Sequence, residues 1–196
     1  MANTDNPNGF KPVKHLNGNP WNGVTQTCYI ASTTTTPIFK YDLVTPDGTS
    51  DATGQYQGVT QSAASDTLIL GAVVSFSTTP DIAADPTDHE RDYAPGSTAM
   101  YCQVVTDPSV LYEAQEDSVG AAIAATGVSI NYDITVGTGS TTTGHSAMEI
   151  DSSTATTATH NIKLIQLVDR PDNALGANAK WLCKINEHYH ASTTGI

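Results

Sequence analysis

From Val24 onward the chain is a succession of short β-branched runs, and a helical body does not fit it. TQTCYIA, PIFKYDLV, QGVTQSA and TLILGAVVSFS come one after another at close spacing, broken by turn signals such as Pro46-Asp47-Gly48. TLILGAVVSF is almost continuously apolar, the pattern of a strand covered on both sides. Gly71 inside it predicts a bulge or a close backbone approach. TAMYCQVV and VLYEAQE flank an Asp107-Pro108 turn, VSINYDITV alternates with period two, and NIKLIQLV and AKWLCKIN close the series. Only EDSVGAAIAATG reads as a short helix, capped by Asp117 or Ser118 and ended by Gly127. Short, tightly spaced strands predict an all-β fold, a β-barrel or jelly-roll-like sandwich with at most one short helix.

The first 23 residues differ. Pro7, Pro12 and Pro20 alternate with Asn-Gly steps at 8–9, 17–18 and 22–23, so no long helix or central strand fits. Yet Phe10, Val13, Leu16 and Trp21 are interspersed, which a disordered linker lacks. The expected organisation is an extended N-terminal arm at 1–23, a β-domain at 24–190 and a disordered tail at 191–196. The four apolar residues are the expected interface anchors, docking on a neighbour or back on their own domain. Residues 78–97 form a polar, proline-bearing loop that is long for a structureless connection.

Of 196 residues, 38% are hydrophobic and only 14% charged, with a net charge of −12. Thr, Ser, Asn and Gln must supply the polar surface, and uncharged surface is cheap to desolvate in an extended interface. A Thr-rich strand protein needs the same composition for its strands alone. The basic residues are scattered along the chain and acids outnumber them, so neither nucleic acid nor an anionic membrane is an expected partner. MANTDNPNGF carries no apolar core of a secretory signal, and no apolar stretch is long enough to span a bilayer. Cys28, Cys102 and Cys183 each lie in an apolar run without metal-ligand spacing, which predicts buried, reduced thiols and folding in a reducing cytoplasm.

Candidate chemistry is sparse. Gly144-His145-Ser146-Ala147-Met148 approaches a nucleophile elbow, but Met148 stands where the strained turn needs a small residue. Gly137-Thr138-Gly139-Ser140 lacks the Gly-Lys-Ser/Thr of a phosphate loop. His188 and His190 fall on one face of a strand and offer two zinc ligands beside Glu187, without a third; surface histidines near a frayed end are the favoured reading. Asp85, Asp88 and Glu90 around His89 form an acidic loop without EF-hand spacing. Trp21, Trp181 and the tyrosines offer either sugar platforms or packing. No enzyme, metal or cofactor is expected.

Three groups of residues resemble one family. They are NPNGFKPVKHLNGNPWNG at 6–23, DPSVLYEAQEDSVG at 107–120, and GSTTTGHSAMEIDSSTATTAT at 139–159 running into LIQLVDRPDNALGANAKWLCKINEH at 164–188. Together they look like the capsid decoration, or cement, proteins of tailed bacteriophages, cyanophages among them. That resemblance implies a β-barrel, jelly roll or tulip-like sheet without catalytic residues. It also implies attachment to the major capsid protein on the outer capsid surface of the virion, assembly in the bacterial cytoplasm, and clustering as a homotrimer. A tail, baseplate or fibre-base component and a carbohydrate-binding β-module are the alternatives.

Overall fold

The computed structural model describes residues 3–64, 66–80 and 92–192. Its strands are β1 (Lys11–His15), β2 (Gln26–Ile30), β3 (Ile38–Phe39), β4 (Leu43–Ser50), β5 (Gln57–Gln61), β6 (Gly71–Ser77) and β7 (Tyr93–Ala94). The second half of the chain adds β8 (Met100–Val105), β9 (Val110–Gln115), β10 (Asn131–Tyr132), β11 (Ile134–Thr135), β12 (Glu149–Ile150), β13 (Ile162–Leu167) and β14 (Lys180–Ile185). The fold is all-β, as the pattern of short runs predicts. Among the described residues no helix is long and apolar enough to cross a membrane.

Five strands close into a barrel in the order β2-β5-β4-β6-β8. Its ladders are antiparallel except β2–β5, which meet in parallel at Tyr29 and Gly58. Period-two alternation sends Cys28, Ile30, Val44, Val59, Met100, Cys102 and Val104 into one apolar core, joined by Leu70, Val73 and Phe76. The opposite face of the same wall carries Leu43, Ile69, Ala72 and Val105, which belong to a second core. The TLILGAVVSF run is therefore covered on both sides. At Gly71 a Cβ would lie 1.8 Å from the Val105 carbonyl oxygen, so this position admits only glycine.

The second core lies between that wall and a five-stranded sheet ordered β1-β9-β14-β13-β10. Tyr112, Ala114, Ile162, Leu164, Trp181, Cys183 and Ile185 point into it. Trp181 is among the most deeply buried side chains, which removes it from any sugar platform. All three cysteines are free and buried.

Three local expectations change. Pro46-Asp47-Gly48 is a bulge within one strand, because Pro46 pairs with Val59 and Ser50 with Gln57, leaving Asp47–Thr49 opposite Gly58 alone. PIFKYDLV is split in two at Tyr41, whose φ is 72°. Asp42 holds the break, its Oδ2 accepting from the Phe39 backbone N–H and the Gln61 amide, each at 2.8 Å. EDSVGAAIAATG forms no α-helix; only Ala125–Gly127 makes a 3-10 turn. Ser118 and Gly120 take φ of 56° and 87°, and the run from there to Gly127 is too short to repay helix nucleation.

Residues 81–91, with the acidic loop of Asp85, Asp88, His89 and Glu90, lie outside the described residues, as do 193–196 of the expected tail. Ala191 ends a 3-10 turn at Tyr189–Ala191.

Candidate interaction surface

The N-terminal segment is built into its own domain. Gly9, at φ 61°, passes so close to Tyr41 and Ser146 that a Cβ would lie 2.4 Å from the Tyr41 carbonyl oxygen. Phe10 then donates its N–H to that same carbonyl at 2.9 Å, and its side chain is fully buried in the second core. Next comes β1, an edge strand antiparallel to β9, with a bulge between Pro12 and Lys14. The chain turns back on itself through His15 N–H to Asn19 carbonyl and Trp21 N–H to Val13 carbonyl, and Trp21 packs part-buried against the core.

Phe10 is therefore a core residue and cannot act as an interface anchor. The expected arm at 1–23 is, over Lys11–His15, the sheet's edge. The reason is physical: backbone pairing with β9 and burial of Phe10 outweigh the cost of ordering a proline-rich segment whose unfolded state is already restricted. Val13 and Leu16 remain outside at 38% and 52% exposure, joined by Val24 at 65%. Exposed apolar side chains are the part of this surface most ready to be covered by another chain, although residues 19–21 already pair with the outer side of β1.

The outer face of the same sheet carries a feature the linear sequence hides. Alternation turns Lys11, Glu113, Leu182 and Lys184 away from the core. Lys11 stands opposite Glu113, Lys180 opposite Gln115, Lys14 opposite Leu111 and Lys163 opposite Lys184. Arg170 reaches the same face, its guanidinium donating to both Glu113 carboxylate oxygens at 2.9 and 3.2 Å. Six of the chain's eight basic residues thus converge on one sheet face of a protein with net charge −12. Leu111 and Leu182 lie buried in those rows. Cations dispersed in sequence are gathered by strand pairing. The signal was present in KWLCK and NIKLI, where each lysine falls on an outward position of the period-two pattern.

The candidate chemical groups do not assemble. Ser146 is buried, its Oγ accepting from the Met148 N–H at 2.9 Å, while His145 is exposed against Tyr41. His190 lies in a 3-10 turn whose N-cap is His188, itself bridged in parallel to Ile69, so the two do not share a strand face. His188 is buried and its Nδ1 accepts from the His190 N–H at 3.1 Å. Burial, then the neighbouring His190, lowers the His188 pKa to about 4. Among the described residues no group of three His, Cys, Asp or Glu is placed to hold a metal ion.

No protein-family model, curated protein or solved structure matches this chain.

Proposed function

We propose that the protein is a non-enzymatic structural component of a tailed-phage virion that decorates and cements the outer capsid surface, with the major capsid protein as its partner. The observation that carries this reading is the exposure of the apolar side chains Val13, in β1, and Leu16, just beyond it, on a segment that Phe10 pins to a doubly packed β-body. Such a surface offers area for burial without a moving part. A cementing protein acts by adding contact area across many copies, each contact weak alone. Sparse charge over most of the surface keeps desolvation cheap when that area is covered.

The test uses heads from the phage encoding the chain, stripped of this protein, with purified protein added back. Wild-type protein should rebind in a saturable manner. The variant Val13→Ser/Leu16→Ser should lose at least about tenfold in affinity while melting as the wild type does, since two apolar contacts would leave the interface. Unchanged rebinding by the folded variant overturns these residues as the attachment site, and failure of the wild type to bind overturns the decoration reading.

A further inference from the structure

Three tyrosine rings cluster on the outer face of the barrel. Cys28, Ile30, Met100 and Cys102 fill its core, so alternation turns Tyr29 and Tyr101 outward. Ser77, Tyr101, Tyr29 and Gly58 form one row across β6, β8, β2 and β5, and Ser75, Gln103 and Thr27 form the next. The rings of Tyr29 and Tyr101 lie 5.5 Å apart at 54°, and Tyr56 meets Tyr101 edge-on at 5.3 Å. All three are part-exposed. The two rows hold phenol, hydroxyl and amide groups and no charged side chain.

The groups around the rings are fixed in place. Tyr56 ends the loop 51–56 between β4 and β5, and Asp51 pins that loop from within. The Asp51 N–H donates to the Tyr56 carbonyl at 3.0 Å. Its carboxylate accepts from the Gln55 and Tyr56 N–H groups at 2.9 and 3.1 Å, and from the N–H and hydroxyl of Thr53. On the second row Thr25 donates its hydroxyl to Gln103 at 3.0 Å, and the Gln103 amide donates to Thr27 at 2.9 Å. At the Gly58 end the β4 bulge stands over the row, where a Cβ would strike the Thr49 hydroxyl.

We infer that this face binds a neutral glycan, the tyrosine rings stacking on sugar faces while the Thr25, Thr27 and Ser75 hydroxyls meet sugar hydroxyls. A sugar ring is apolar on its C–H faces and hydroxylated around its rim. Tyrosine has the same division, an apolar body with a polar tip. Covering these rows removes no charge from water, which keeps desolvation cheap for a neutral ligand. Strand pairing and the Asp51 loop already hold the rings, so binding orders little of the protein. The inclined rings suit a chain whose successive sugars are turned relative to one another. A nucleic acid would need cations for its phosphates, and these rows have none. A protein interface would set aliphatic side chains beside the rings, where this face sets hydroxyls and an amide. The inference does not rest on the capsid reading.

The purified chain is tested on an array of neutral oligosaccharides with uronate-bearing and sulfated counterparts, and the best neutral binder is then titrated. Binding to a neutral sugar should persist to about 0.5 M salt, since no charge pair is there to screen. Tyr29→Ala and Tyr56→Ala, each first shown to melt as the wild type does, should lose about tenfold or more in affinity, the scale of an aromatic contact. Tyr56→Phe should keep most of it, because the ring does the stacking. If Tyr29→Ala does not fold, Tyr56→Ala carries the test, since Tyr56 lies in a loop. An array without a neutral binder, binding confined to acidic sugars, or affinity indifferent to the alanine variants overturns the inference. So does single-stranded DNA that binds the wild type and not these variants. A loss of head rebinding in the same variants would make the patch a protein interface and overturn this inference alone.

Discussion

Lys163 and Lys184 stand directly opposite each other on adjacent antiparallel strands, two like charges on one exposed face. Like charges in that position repel, and cross-strand pairs are worth about 0.2–1 kcal/mol in either direction. The isolated monomer gains nothing from this pair. Lys184→Glu should raise the monomer's unfolding free energy by about 0.2–1 kcal/mol in urea titrations at low salt. A loss of stability would show that the pair is held by an unrecognised internal partner.

Phe10 and Leu16 lie close in sequence and differ completely in burial. Phe10→Ala should cost about 3–5 kcal/mol of stability, the range for emptying a buried aromatic site. Leu16→Ser should change stability by less than about 0.5 kcal/mol, as exposed substitutions do. Urea unfolding of the two single variants checks this; equal effects would mean that the N-terminal segment does not pack as described.

Stability should depend on pH through two buried groups of opposite sign. Burial raises the Asp42 carboxyl from 3.8 to about 6, against the pull of its Ser146, Phe39 and Gln61 donors. Its contribution is therefore full below pH 4 and is lost as pH rises through 6, a swing on the order of 3 kcal/mol. The lowered His188 contributes stability above its ordinary 6.5 that is lost as pH falls toward 4. In the wild type the two oppose each other across this window. In Asp42→Asn the opposing aspartate is gone while the histidine remains, so unfolding free energy should climb between pH 4 and 6.5 more steeply than in the wild type. A flat profile in that variant would contradict the assignment.

The three thiols should be inert in the folded protein. Burial pushes Cys28 up to about 12 and raises Cys102 and Cys183 as well, so almost no thiolate exists at neutral pH. Labelling by a thiol reagent should proceed only at the rate of unfolding, with all three reacting together in denaturant. Fast labelling of any one in native buffer would contradict its burial.

Much of this architecture was legible in the sequence because β-strands declare themselves through alternation. TAMYCQVV, VLYEAQE, NIKLIQLV and AKWLCKIN all became strands, and Gly71 marked a close approach. The features that stayed hidden depend on which strand pairs with which. Pro46-Asp47-Gly48 has the composition of a turn, yet the tertiary ladder to β5 carries the chain straight through it as a bulge. Phe10 looks no more buried than Leu16 until β1 is laid against β9. The lysines of β1, β13 and β14 are far apart in the chain, and only the sheet order brings them to one face.

The central claim is best tested by electron microscopy of the intact particle. The account predicts this fold on the outer capsid surface in hundreds of copies, with Val13 and Leu16 against the shell. A shell without this density, or the protein confined to a few copies in the tail, would contradict it.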